Sequence, residues 1–227
     1  MTYRGDCQCE ADSSSPHTSW HLFSCLARLH PAAPNDRWRN GRRYLVGYVG
    51  VMGRQEGIGF LLQAAARLVH GRGRQDVQFC LIGGGPERAV LEETAARLEV
   101  TDYVTFTGRV PDRELLEILS SADVCVNPDV VNEMNDKSTM NKIMEYMALG
   151  KPIVQFETTE GRFSAQSASV YARPNDAESL LDHIVALLDD PERRAEMGRF
   201  GRRRVDAELQ WKHEVPKLLR AYDQVFS

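Results

Sequence analysis

From Tyr44 onward the hydrophobic positions alternate between two rhythms. Short apolar runs of strand type occur at 44–50, 77–82, 104–110, 123–127, 152–156 and 169–172. Between them apolar residues recur at three- and four-residue intervals, the period of a helix with one buried face. The helical sets are Ile58, Leu61, Leu62, Ala65, Leu68 and Val69; then Val90, Leu91, Ala95 and Leu98; then Leu115, Leu116, Leu119 and Ala122, with Asp112 as the expected cap. Asp176 opens a further helix carrying Leu180, Leu181, Ile184, Val185 and Leu188. Asp190-Pro191 places a capping residue and an N1 proline at the start of the next, and a last helical segment runs from about Trp211 to Phe226. Regular strand–helix alternation predicts an α/β fold: a parallel sheet of about six strands with helices on both faces, binding ligands at the strands' carboxyl ends.

Residues 1–43 lack such periodicity. Ser13-Ser14-Ser15-Pro16 and Pro31-Ala32-Ala33-Pro34-Asn35-Asp36 are loop chemistry, and only Trp20 to Leu29 has a short helical pattern. The expectation is a poorly ordered leader or remnant over 1–43 and one domain over 44–227. Hydrophobic residues at 42% and charged residues at 26% are ordinary for a globular chain, and a net charge of −4 offers nucleic acid no bulk attraction. No apolar run approaches the roughly 18 residues of a membrane span. Asp6, Glu10 and Asp12 occupy the place of a secretory signal's apolar segment. Of five cysteines, Cys80 and Cys125 lie in strand-like runs as small core residues, so a reducing, cytoplasmic location is expected. Cys7, Cys9, His17, His21 and Cys25 lack the spacing of a zinc site, and no metal is expected.

Candidate chemistry concentrates in 137–154, which reads as a loop, a three-turn helix and a buried strand. Ser138 or Thr139 is expected to cap the helix, and Gly150 followed by Pro152 to end it. At about 100° per residue, Met140, Ile143, Met144 and Met147 share one face, and Ser138, Lys142 and Glu145 the other. The polar face sets a cation and a carboxylate beside a helix N-terminus, whose free N–H groups favour anions. An ionised carboxylate only accepts hydrogen bonds and so suits a pair of sugar hydroxyls. Such a surface suits a nucleotide diphosphate. The same spacing also fits an ordinary surface helix with an i, i+3 Lys–Glu pair. Gly47, Gly50 and Gly53 form G-x-x-G-x-x-G, which is neither a dinucleotide fingerprint nor a P-loop. Gly83-Gly84-Gly85-Pro86 fits a tight strand-to-helix turn as well as a phosphate loop.

Taken in series, Gly47-Tyr48-Val49-Gly50, Leu81-Ile82-Gly83-Gly84-Gly85-Pro86, Val104 to Val110, Ala122-Asp123-Val124 and Met144 to Val154 resemble the C-terminal half of group 1 (family 4) glycosyltransferases over about 44–227. The resemblance implies a Rossmann-like domain, half of a GT-B fold, that holds a nucleoside-diphosphate sugar as donor substrate. It implies retaining transfer with no metal or other cofactor. Glu145 then corresponds to the acid that accepts from the ribose hydroxyls. Gly108, Arg109 and Val110 correspond to the segment lining the base, and Gly50 to the glycine that admits the donor phosphates. Lys142 matches a lysine found at the diphosphate in one branch. Ser138, Thr139 and Asn141, with Asn135 and Asp136, lie in or beside the loop meeting phosphate and sugar. Gly84 and Arg54 complete the expected set.

Departures from the family pattern are specific. Lys137 stands where the first of two glutamates is usual, and its role stays open. Val51 replaces a frequent arginine and Glu56 a frequent lysine, so Arg54 and Lys142 are the candidate replacements. A solvated loop arginine remains the other reading of Arg54. Family members place an acceptor-binding domain ahead of this half, and residues 1–43 are too short to be one. His17, His21 and His30 match no motif, so no catalytic residue is assigned. The expected function is a donor-binding domain, catalytically incomplete alone, with a preceding domain or a partner chain supplying the acceptor site. The rivals are a non-catalytic nucleotide-sugar module or split subunit, and a GT-B sugar epimerase. Arg193, Arg194, Arg199, Arg202, Arg203 and Arg204 read first as a solvated face among interleaved acids, and alternatively as a peripheral membrane contact at the inner face. Trp211, Leu218, Leu219, Tyr222 and Phe226 form an under-buried apolar stripe.

Overall fold

The structure, a computed structural model, describes residues 29–226. The Cys/His group of the N-terminal region and nearly all of the Trp20–Leu29 pattern lie outside the described residues. Six strands form the sheet: β1 (Tyr44–Val49), β2 (Val77–Ile82), β3 (Val104–Gly108), β4 (Val124–Asn127), β5 (Ile153–Phe156) and β6 (Ser169–Ala172). Their order is β3-β2-β1-β4-β5-β6 and every pairing is parallel. The order reverses between β1 and β4, and an open sheet of this kind offers a crevice at that reversal, beyond the carboxyl ends.

Alternation along the strands assigns the two faces. Val46, Tyr48, Phe79 and Leu81 join one core with α1 (Ile58–Ala66), α2 (Arg88–Arg97) and a long helix in the second half, Ala177–Leu188. Leu45, Cys80 and Cys125 join the other with α3 (Asp112–Ser121) and the helix Asn141–Ala148. Cys80 and Cys125 are fully buried, and burial pushes both thiols up to about 12, as inert core groups require.

In order, the helices after α3 are α4 (Glu133–Asp136), α5 (Asn141–Ala148), α6 (Thr159–Ala165), α7 (Ala177–Leu188), α8 (Pro191–Arg204) and α9 (Trp211–Phe226). Asp176 accepts from the Glu178 and Ser179 N–H groups, and Asp190 accepts from Arg193 ahead of the N1 proline, as expected. Two other expected caps are absent. The N-cap of α3 is Pro111, with Asp112 already helical, and that of α5 is Met140 with no side-chain cap. Ser138 Oγ instead donates back to Met134 O, and Thr139 Oγ1 donates to Glu160. Val90 is also 53% exposed, so α2 buries a narrower stripe than its sequence suggests.

The folded region begins ahead of Tyr44. Ala32 and Asn35 donate backbone N–H groups to the Ser120 and Ser121 hydroxyls, and Trp38 Nε1 donates to Glu117 at 2.8 Å. Arg39 pairs at 2.6 Å with Asp123, whose carboxylate also accepts from the Leu45 N–H. This strap seals the C-terminal turn of α3.

The basic cluster of α8 is not one solvated face. Arg194 donates to the Leu187 and Leu188 carbonyls, Arg202 to those of Leu29 and Ala148, and Arg204 to those of Ser164 and Phe163. Three arginines thus satisfy backbone carbonyls, those of Ala148, Phe163, Ser164, Leu187 and Leu188 lying at helix ends, and of the six only Arg193, Arg199 and Arg203 are exposed. On α9 the apolar stripe is indeed open: Leu219, Tyr222 and Phe226 are more than half exposed.

Candidate functional site

Beyond the carboxyl ends of β1 and β4, at the reversal of strand order, lies a cavity of about 500 Å³. One wall is the β1 loop with Val49, Gly50, Val51 and Glu56; the floor carries Asp129; the opposite wall is the N-terminal half of α5 and the loop before it.

Glycines let these loops meet. A Cβ on Gly57, whose φ is +60°, would lie 2.0 Å from the Pro128 carbonyl oxygen. Close approach there allows Val130 N–H to donate to Gln55 O at 2.8 Å, tying the β1 loop to the β4 loop. A Cβ on Gly83, φ +124°, would similarly fall 2.0 Å from the Gly50 carbonyl oxygen. Gly83 and Gly85 therefore serve loop-to-loop contact, and Met52 N–H donates to Gly84 O at 3.0 Å across the same seam. This is the turn reading of the triple glycine.

The α5 wall is set by a second group of contacts. Asn132 Oδ1 caps α4 by accepting from Met134 and Asn135. Asn135, 4% exposed, donates from Nδ2 to the Gln55 and Val130 carbonyls. Asp136 accepts from both the N–H and the hydroxyl of Thr159 on α6. Those two hydrogen bonds hold its carboxyl below the usual value of 3.8. A depressed acid stabilises the fold above its ordinary pKa and loses that contribution as pH falls through the lowered one. Replacing Thr159 by valine is therefore expected to move the onset of acid-induced loosening of 133–140 to higher pH, read as amide hydrogen exchange. An unchanged onset would deny the clamp.

At its other end α5 is anchored by Tyr146, which the apolar spacing did not single out. Its hydroxyl, fully buried, accepts from Val49 N–H at 3.0 Å and donates to Val126 O. Gly150 N–H to Met147 O and Lys151 N–H to Tyr146 O then close the helix, with Gly150 left-handed at φ +65°.

Two features of α5 face the cavity. Its first turn has no side-chain cap, and the N–H groups of Asn141 and Lys142 make no hydrogen bond among the described residues. Such a terminus attracts anions. One turn on, the half-buried Glu145 carboxylate receives no hydrogen bond among the described residues, and burial raises its pKa, with Lys142 opposing the shift. Lys142 itself reaches across to Asp129 at 2.6 Å.

Of the residues singled out from sequence, Gly50, Asn135, Ser138, Asn141, Lys142 and Glu145 line this cavity. Arg54, Gly84, Gly108, Arg109, Val110 and Thr139 do not. Arg54 is 87% exposed at its side chain and pairs with Glu87. Gly84 follows the carboxyl end of β2, Gly108 ends β3, and Arg109 and Val110 follow it, Arg109 being exposed. Asp129 and Gln55 were missed. Asp129 had a readable signal: an acid two residues past a strand that borders the reversal of strand order.

Residues 43–190 match the family model described as Glycosyl transferases group 1, and the chain belongs to that family. Its sheet is the Rossmann-like half of a GT-B fold. The chain is 28% identical over 207 residues to the 2-deoxystreptamine glucosyltransferase of Streptomyces kanamyceticus, covering 86% of this chain and 51% of that protein. It is 25% identical over 198 residues to a GDP-mannose-dependent phosphatidylinositol monomannoside mannosyltransferase of Corynebacterium glutamicum, covering 82% and 50%. Sucrose-phosphate synthase from Thermosynechococcus elongatus superposes with a TM-score of 0.73 at 26% identity, over 88% of this chain and 50% of that one. Anabaena HepE in complex with UDP-glucose shares the fold at a TM-score of 0.75 and 16% identity, over 87% and 55%. The chain thus spans about half the length of the curated relatives it matches. Among the described residues no helix is long and apolar enough to cross a membrane.

Proposed function

We propose that this chain is the donor-binding half of a retaining nucleotide-sugar glycosyltransferase, incomplete as a catalyst until a preceding domain or a partner chain supplies the acceptor site. The observation that carries the reading is the cavity at the β1/β4 reversal, where an acceptor-only carboxylate, Glu145, stands one turn from the open N-terminus of α5. Glu145 suits the ribose hydroxyls; the helix terminus, Lys142 and Ser138 suit the diphosphate. Gly108, Arg109 and Val110, outside the cavity, lie where the base would extend. HepE, of the same fold, binds UDP-glucose, which agrees with this arrangement. Calorimetric titration with UDP, GDP, ADP and dTDP tests the reading: one of them is expected to bind with micromolar to millimolar affinity, and folded protein that binds none would defeat it.

One feature favours the rival of a non-catalytic module. Among the described residues the cavity sets Glu56, Asp129 and Glu145 against a single lysine, a weak cationic complement for a diphosphate. Transfer assays with and without candidate partner chains separate the two, since a module shows no turnover in any combination. Formation of an epimer of the donor sugar without acceptor would instead mark an epimerase. We place the protein in the cytoplasm, where an acceptor on anionic lipid would meet the exposed Arg193, Arg199 and Arg203. Failure to sediment with phosphatidylglycerol vesicles at low salt would remove that contact.

A further inference from the structure

Lys142, the one cation of the cavity wall among the described residues, already has a partner. Its Nζ donates to Asp129 Oδ1 at 2.6 Å, and the two side chains are only 11% and 4% exposed. The ammonium lies 5.1 Å from the centre of the Tyr48 ring, and its stem runs beneath Gly50, where a Cβ would fall 3.6 Å from Lys142 Cε. Tyr48 is fully buried and donates its hydroxyl to Val51 O, so the ring is a fixed surface.

The two partners differ in freedom. Asp129 is short and sits on a pinned loop: Pro128 O abuts Gly57, and Val130 N–H is held by Gln55 O. Lys142 has a four-carbon stem and three donors, one of them engaged. If an anion arrives, the lysine is the group that can turn. The remaining carboxylates, Glu56 and Glu145, have no hydrogen-bonded partner among the described residues. An incoming phosphate therefore competes with Asp129 for the same ammonium and is repelled by Asp129 itself.

We propose that Asp129 is an internal counter-anion that holds Lys142 across the cavity floor and surrenders it to the phosphate of a bound nucleotide, setting an upper limit on how tightly the nucleotide is kept. This rests on the donor-binding reading above. It makes Asp129 a positioning residue that weakens binding, and so eases release of a nucleoside diphosphate after the sugar has left.

The test is Asp129→Asn, which keeps the volume and removes the charge, titrated by calorimetry with the nucleoside diphosphate that binds the wild type and with the corresponding nucleoside. Affinity for the diphosphate is expected to rise about tenfold or more, while the nucleoside is unaffected. The gain should be clearly smaller between Lys142→Met and the Asp129→Asn/Lys142→Met double variant, where only the direct repulsion by Asp129 is left to remove; a gain equal in both backgrounds would overturn the role of the ammonium. A merely structural Asp129 would weaken both ligands together. Diphosphate affinity unchanged or reduced in Asp129→Asn overturns the proposal while leaving the donor-binding reading intact. A wild type that binds no nucleoside diphosphate defeats both. Removing one member of a buried pair is destabilising. Should Asp129→Asn not fold, carboxyl carbon NMR of wild-type Asp129 decides: saturation with the diphosphate, but not the nucleoside, is expected to shift its signal. An unmoved signal overturns the proposal.

Discussion

Replacing Glu145 by glutamine is expected to weaken nucleoside diphosphate binding roughly thirty- to several-hundred-fold. Two hydroxyl hydrogen bonds to a charged acceptor are at stake, together about 2–4 kcal/mol. The 2′,3′-dideoxy analogue, lacking those hydroxyls, should bind wild type and variant alike. The same substitution is expected to raise the stability of the free protein. Burial lifts the Glu145 pKa above its ordinary 4.5, so in the folded state the ionised form is disfavoured. A raised acid pKa makes stability increase as pH falls from above the shifted value towards 4.5. That portion of the pH profile should flatten in Glu145→Gln. Binding lost together with stability gained would identify a carboxylate kept for ligand rather than for fold. Loss of both would mark it as structural.

Gly57→Ala is expected to be a severely damaging small substitution. The new methyl carbon would lie 2.0 Å from Pro128 O, and a left-handed φ of +60° is unfavourable for alanine. Neither backbone can yield without parting the β1 and β4 loops. A loss of about 3–5 kcal/mol follows, a fall in Tm on the order of 10 °C. Gly59→Ala, two residues on within α1 and with open space around it, serves as the control. Alanine there should stabilise by up to about 1 kcal/mol. Similar melting temperatures for the two variants would refute the close contact.

The architecture was legible in the sequence because strand and helix periods differ and alternate without interruption. All six strands fall within the apolar runs that announced them. Caps were harder. Asp176 and Asp190 cap as read, whereas Ser138, Thr139 and Asp112 do not. The Ser138 hydroxyl turns back onto the carbonyl four residues before it, a local alternative to capping, while Thr139 reaches Glu160 on α6, a contact that local sequence does not display. The site divided in the same way. Glu145 and Lys142 were visible from helical spacing, since one turn of α5 carries both. Their setting was not, because Asp129 and Gln55 reach the cavity through contacts between the β1 and β4 loops, which Gly57 permits. Gly83 and Gly85 show how little a glycine run says by itself: here both serve the approach of one loop to another, a contact that sequence does not display.

The arrangement of nucleotide in the β1/β4 crevice is tested most directly by a crystal structure of the complex with the nucleoside diphosphate that binds best. The predicted result places the ribose hydroxyls within hydrogen-bonding distance of Glu145 and a phosphate between the first turn of α5 and Lys142. A nucleotide seated elsewhere, or a Glu145 carboxylate turned away from the ribose, would contradict it.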